Sequence, residues 1–198
     1  MNEQLNTMRK ALLNYKKAVD EANENMALNK KYFQQDKLEE ANKPIKDKLE
    51  KARKQAEATI RKAQEDGRAK VRAWGKLDGD KITSDAKLLD YGVTPEQFGE
   101  LVTRYEGNGT MLTLLKTYAD KKNADKGKGG PYYDATMIPS VQEREHAYDT
   151  FASSALDLLS SLAGKDGFFT GANSPMTQTA VEKFGEETGF NTNLISLL

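Results

Sequence analysis

Between Leu5 and Met26 the apolar side chains recur at alternating steps of three and four: Leu5, Met8, Leu12, Tyr15, Val19, Ala22 and Met26. That spacing lays one stripe along an α-helix, the heptad seam of helices that pack side by side, while charged and amide residues fill most other positions. A second stripe follows, through Leu38, Ala41, Ile45, Leu49, Ala52, Ala56, Ile60, Ala63, Gly67, Val71 and Trp74. Its steps of three, four and four form an eleven-residue repeat, which runs nearly straight or slightly right-handed, whereas a heptad stripe twists left. The two seams do not join in register, because the pattern lapses over 29–36. The spacing therefore predicts two helices, over 3–28 and 37–75, joined by a turn or kink near 30–36. Asp36 or Asn42 is placed to cap the second helix, and if it begins at 37 then Pro44 lies inside it and should bend it.

A helix over 37–75 would be about 58 Å long at about 1.5 Å per residue. A compact chain of this size has a radius of gyration of about 16 Å. Such a helix must protrude, fold back on the first as a hairpin, or pair with another chain. Alanine at many seam positions permits close approach but buries little area, so a hairpin alone would be weakly held and a partner surface is expected.

Shorter helices follow. Thr83-Ser84-Asp85 can start one through Leu88 and Leu89, closed by Gly92. Thr94-Pro95-Glu96-Gln97 is a helix start with Thr94 as N-cap, Pro95 at the first position and Gln97 completing a capping box. Phe98, Leu101, Val102 and Tyr105 form that helix's apolar face, Gly107-Asn108-Gly109 breaks it, and Thr110 is expected to cap the next, which carries Met111, Leu112, Leu114, Leu115 and Tyr118. The composition of 123–131 reads as a flexible linker. Beyond it Pro139 or Ser140 opens a helix through Leu162, with Tyr148, Phe151, Ala152, Ala155, Leu158, Leu159 and Leu162 on one face. A last helix near 174–187, with Ser174 as cap, precedes the apolar end Leu194-Ile195-Ser196-Leu197-Leu198, which reads as a terminal segment packed on its own domain or, as the alternative, a docking peptide. The expected architecture is mainly α: a long charged helical region over 1–77, a small helical module over 78–123, a linker over 124–138 and a C-terminal helical module over 139–198.

Composition sharpens this. Charged residues make up 30% and hydrophobic residues 37%, which suits long helices exposing most of their circumference to water. Thirty basic and thirty acidic residues cancel, so no global field argues for nucleic acid. Cysteine is absent, which removes disulfides and thiol chemistry. The N-terminus lacks the apolar core of a signal peptide and no stretch approaches the roughly 20 apolar residues of a membrane span, so a cytoplasmic protein is expected.

Candidate chemistry is sparse. His146 is the only histidine, and Glu143-x-x-His146, with Asp149 continuing the face, matches one half of a di-iron motif whose second half the chain cannot supply. Asp78-Gly-Asp80 starts like a calcium loop, but Thr83 and Leu89 stand where glycine and glutamate are needed. Ser84-x-x-Lys87 lacks the companion motifs of a serine hydrolase. The glycine-rich 107–109 and 127–130 lack phosphate-loop spacing and read as turn and linker. No metal, no cofactor and no enzymatic activity are expected. Arg61, Lys62, Arg68, Lys70 and Arg72 cluster toward the end of the second long helix beside Trp74, and such a helix can touch a nucleic-acid backbone. Glu–Lys pairs four residues apart account for much of that charge as helix support, so this reading is not favoured.

The run from Trp74 through Leu89, continuing through Val93-Thr94-Pro95-Glu96-Gln97-Phe98 to Tyr105-Glu106-Gly107-Asn108-Gly109-Thr110-Met111-Leu112, resembles helical proteins encoded beside the capsid genes of tailed phages and prophages of Gram-positive bacteria. The resemblance covers about 1–123 and includes the long charged helix ahead of the module. It implies a role in virion assembly or in the virion, as a scaffold or capsid-associated protein located in the host cytoplasm or the particle. The partner would be another copy of the chain or the phage coat protein. Scaffolds of that kind often end in a basic helix, whereas the last helix here carries Glu182, Glu186 and Glu187 against Lys183. The three-part layout also admits an inhibitor that wraps a host defence nuclease with the long helix. The seam residues Leu5, Met8, Leu12, Tyr15, Val19, Met26, Leu38, Ile45, Leu49, Ile60, Val71 and Trp74 are the candidate contacts in either case.

Overall fold

The computed structural model describes residues 3–126, 129–163, 179–181 and 183–184. The protein is mainly helical, and no strand occurs among the described residues. Helix α1 spans Glu3–Tyr32 and α2 spans Gln35–Gly75, so only Phe33 and Gln34 separate them. Both helices outrun the predicted bounds at their shared turn. Apolar periodicity reports which residues are buried, and over 29–32 and 35–36 the chain leaves the core while still helical. Lys30 and Lys31 in the last turn of α1 suit the negative end of its dipole, and Asp36 in the first turn of α2 suits the positive end. The Phe33 amide donates to the Asn29 carbonyl at 2.9 Å and the Lys37 amide to the Gln34 carbonyl at 3.0 Å, closing the turn.

The two long helices pack against each other as an antiparallel hairpin. Thr7 and Tyr15 line one groove with Ala52 and Thr59, and Ala22 lines the next with Leu49. Near the turn the Asn29 amide donates to Asn42 Oδ1 at 2.9 Å and to the Ala41 carbonyl at 3.3 Å. Pro44 does lie inside α2. Its ring leaves the Glu40 carbonyl without its usual N–H, a loss of about 3 kcal/mol in an isolated helix interior.

The chain forms two compact units. The first comprises 1–67 and 146–198, the second 68–145. These boundaries differ from those read off the sequence, which kept the C-terminal helix apart from the N-terminal pair. In the first unit, α6 (Val141–Ala163) from residue 146 onward lies along the hairpin. Gln64 donates to Asp149 at 2.7 Å, and Gly67 sits directly under the ring of Tyr148. Leu5, Met8, Leu12, Ile60, Phe151, Ala155, Leu159 and Leu162 are buried there, as are Val181 and Phe184. The apolar face of α6 was legible in the sequence; its partner was not, because a stripe states that a face is buried and not against what.

In the second unit a 3-10 turn at Gly79–Lys81 leads to α3 (Ala86–Tyr91), α4 (Pro95–Arg104) and α5 (Gly109–Asp125). The capping box at Thr94 and Gln97 forms as read, and Gly92 closes α3 with φ of 87°. Asn108 caps α5 in place of Thr110: its side chain accepts from the Met111 amide. Thr110 lies inside the helix, fully buried, where its hydroxyl accepts from the Asp78 amide at 3.1 Å. Val93, Phe98, Leu101, Val102, Leu112, Leu115 and Ala119 form the core, with Trp74, Leu89, Tyr105 and Tyr118 packed on it.

The stretch expected as a linker supplies part of that core. Tyr133, Ala135 and Ile138 are buried in it. Tyr133 stacks edge-on against Phe98 and Tyr118, with ring centroids 5.7 and 5.4 Å apart. Asn123 clasps its backbone, donating to the Tyr133 carbonyl at 2.8 Å and accepting from its amide at 2.9 Å. Glycine and lysine composition suggested freedom, but three apolar side chains six residues apart or fewer outweighed it by burying area. Ser140 and Glu143 form a capping box at the start of α6, at 2.6 and 3.2 Å. The last predicted helix, 174–187, falls mostly outside the described residues, although 179–181 and 183–184 are helical; the apolar end 194–198 lies outside them altogether.

Candidate interaction surfaces

The α1–α2 hairpin carries two adjoining grooves along one side. One, of about 400 Å³, is bounded by Thr7, Lys10, Ala11, Asn14 and Tyr15 of α1 and by Ala52, Gln55, Ala56 and Thr59 of α2. The other, of about 310 Å³, is bounded by Ala18, Glu21, Ala22 and Asn25 and by Pro44, Ile45, Lys48, Leu49 and Ala52. Ala52 lines both, so the grooves are continuous. The floor is Tyr15, Ala22, Leu49 and Ala56, all buried, while the rims are polar. Burial pushes the Tyr15 phenol up to about 12, against a weaker opposing pull from Arg53. Arg53 is itself held by Glu50 through two hydrogen bonds of 2.9 Å, which lowers the Glu50 carboxyl.

Of the seam residues, Leu5, Met8, Leu12, Tyr15 and Val19 of α1 and Leu49, Ile60 and Val71 of α2 are buried. Met26, Leu38 and Ile45 are half-buried. Burial fades toward the turn, where Leu28 is 47%, Tyr32 80% and Phe33 46% exposed. The tip of the hairpin is thus an apolar and aromatic knob beside Lys30, Lys31 and Lys37. Trp74 belongs to the second unit, half-buried, with the Arg144 guanidinium 4.1 Å from its ring centroid. In the second unit Leu77, Ile82, Leu88 and Tyr91 are exposed apolar side chains.

Three of the five basic residues have carboxylate neighbours within the chain. Arg61 bonds Glu57 at 2.9 and 3.1 Å on its own helix. In the second unit Glu145 accepts from Arg72 and lies 3.7 Å from Arg68. Lys62 and Lys70 are exposed along α2. Carboxylates of the same chain therefore face three of these cations, which weakens their pull on a phosphate backbone.

The remaining sequence candidates resolve into local structure. Glu143 is taken up by the cap of α6, where the Ser140 amide and then its hydroxyl hold the carboxyl below its usual range. His146 is exposed, and Asp149 accepts from Gln64. Asp78 caps the 3-10 turn by accepting from the Asp80 amide. Asp85 accepts from the Tyr105 hydroxyl and from Arg104, both at 2.8 Å, and is lowered by them. Among the described residues no group of three or more His, Cys, Asp or Glu is placed to hold a metal, and no helix is long and apolar enough to cross a membrane.

Two features were not read from the sequence. Arg9, beside the α1 seam, is only 3% exposed; its Nε donates to the Phe184 carbonyl at 3.2 Å and its guanidinium lies 5.3 Å from the Phe151 ring centroid. No local signal separates it from the surface lysines around it. The clasp of Val93 is the other: its carbonyl accepts from the Tyr133 hydroxyl at 2.7 Å and its amide donates to Tyr118 at 3.2 Å. The run Tyr132-Tyr133 in a polar stretch was the one available hint. Comparison of the chain with protein-family models, with curated proteins and with solved structures returns no match.

Proposed function

We propose that the protein is a non-enzymatic assembly or structural protein of tailed-phage virions, a scaffold or capsid-associated factor that works through helix-mediated protein contacts. The observation that carries this reading is the α1–α2 hairpin, whose thin alanine-rich seam ends in an exposed knob of Leu28, Tyr32 and Phe33. Aromatic side chains at an exposed tip offer large contact area with few rotatable bonds, the composition of an interface anchor. The resemblance of 74–112 to proteins encoded beside capsid genes supplies the biological setting, in the host cytoplasm or the particle.

The test is co-sedimentation of the purified chain with assembled phage coat protein. Binding is expected, and the double variant Tyr32→Ser, Phe33→Ser should weaken it by about tenfold or more while leaving helicity intact. Absence of coat-protein binding, or binding that ignores the double variant, would refute the reading. Tight one-to-one binding to a host nuclease with loss of cleavage would replace it with an inhibitor.

A further inference from the structure

The groove face of the hairpin is a second helical stripe, distinct from the buried seam. On α1 it runs through Thr7, Ala11, Asn14, Ala18 and Asn25, again at steps of three, four and seven. These positions lie about a third of a turn from Leu5, Met8, Leu12 and Val19 around the helix axis, at about 100° per residue. From Thr7 to Asn25 the groove extends about 27 Å at about 1.5 Å per residue. Small side chains at Ala11, Ala18 and Ala52 let a further pair of helices approach closely.

The rim charges say which helices. Lys10 and Glu21 stand on the same edge of α1, eleven residues and three turns apart. A two-fold axis across α1 between Tyr15 and Lys16 turns a second copy so that residue sums of 31 face each other. Lys10 then lies opposite Glu21 of the partner subunit, and Glu21 opposite Lys10 of the partner subunit. One operator satisfies both ends of the groove with opposite charge. We propose that the protein forms a two-fold homodimer in which the groove faces of two α1–α2 hairpins stack antiparallel, locked by reciprocal Lys10–Glu21 pairs. The arrangement is isologous and closes on itself, so it yields dimers and not fibres. Its footprint, about 27 Å by two helix widths of about 9 Å each, is on the order of 500 Å² per copy before side-chain relief. That falls at the small end for specific interfaces, in the range of weak, transient association.

The proposal deepens the assembly reading by naming a second copy as one partner of the hairpin, and it is tested separately from coat-protein binding. Sedimentation of the full chain across micromolar concentrations should show a monomer–dimer equilibrium. Lys10→Glu and Glu21→Lys should each raise the dissociation constant by about tenfold, because each places like charges opposite one another twice. The double variant Lys10→Glu, Glu21→Lys should restore it to within about threefold of the starting value, since the pairs are re-formed with reversed sign. Circular dichroism should be unchanged in all three, as both positions are exposed. A chain that stays monomeric up to the order of 100 µM overturns the dimer even if it binds coat protein. A dimer indifferent to the single variants, or not rescued by the double one, overturns this geometry. A dimer that follows the swap stands even if coat-protein binding fails.

Discussion

Gly67 is the position where local and tertiary physics disagree most sharply about one methyl group. It lies inside α2, where replacing glycine with alanine normally stabilises a helix by about 1 kcal/mol through lost unfolded-chain freedom. A Cβ at Gly67, however, would stand 2.6 Å from Tyr148 Cδ1 and 2.8 Å from Cζ, and nearer still to Cε1. Tyr148 is 1% exposed, so its ring cannot swing into solvent. Forcing a methyl into such a site costs about 1–3 kcal/mol, and contact with three atoms of a rigid ring places it at the upper end. The net expectation for Gly67→Ala is destabilisation by about 1–2 kcal/mol, or a fall in melting temperature of a few degrees at about 2–4 °C per kcal/mol. Gly99→Ala is the matched control: it too lies inside a helix, is exposed, and has nothing within 4 Å of its added Cβ. It should gain up to about 1 kcal/mol. Urea unfolding followed by circular dichroism measures both. Adding Tyr148→Leu to Gly67→Ala should recover about 1–2 kcal/mol relative to the sum of the single changes, because it removes the ring that the methyl strikes. If Gly67→Ala were as stable as the parent, α2 and α6 would not pack at this distance and the first unit would be wrongly described.

Tyr15 gives a pH-dependent companion. Its folded value of about 12 stands above the usual 10.0, so the neutral phenol is favoured in the fold and its contribution is present in full below pH 10. Stability is then lost as pH rises from 10 through 12, at up to about 1.4 kcal/mol per pH unit, on the order of 2 kcal/mol in all. Tyr15→Phe should lack that part of the alkaline decline while unfolding normally at neutral pH; an unchanged alkaline profile would show that the phenol is not desolvated. Asn123→Ala removes two hydrogen bonds to the Tyr133 backbone and should cost about 1–2 kcal/mol, read in the same urea titration. A neutral outcome would mean that 129–138 does not need its clasp to stay on the core.

Helix, cap and stripe were legible in the residues themselves. The heptad over 5–26 and the eleven-residue repeat over 38–74 both fall on helices, and the Thr94–Gln97 capping box forms at its sequence position. Those features rest on contacts within a few residues, so the local sequence carries nearly all of their energetics. The bounds at the hairpin turn slipped because 29–32 and 35–36 are helical yet mostly exposed, and periodicity is blind to helical turns that bury little. Asn108 displaced Thr110 as a cap because either residue type can serve and burial of the Thr110 hydroxyl against Asp78 decided between them. Tertiary structure alone decided that α6 packs along α1 and α2, that Tyr133, Ala135 and Ile138 complete the second core, that Arg9 is buried, and that Gly67 is an approach point under Tyr148. Each depends on which distant surface comes to meet a given face. That choice is made by area buried and hydrogen bonds satisfied between residues tens to more than a hundred positions apart, and one strand of sequence, read locally, does not state it.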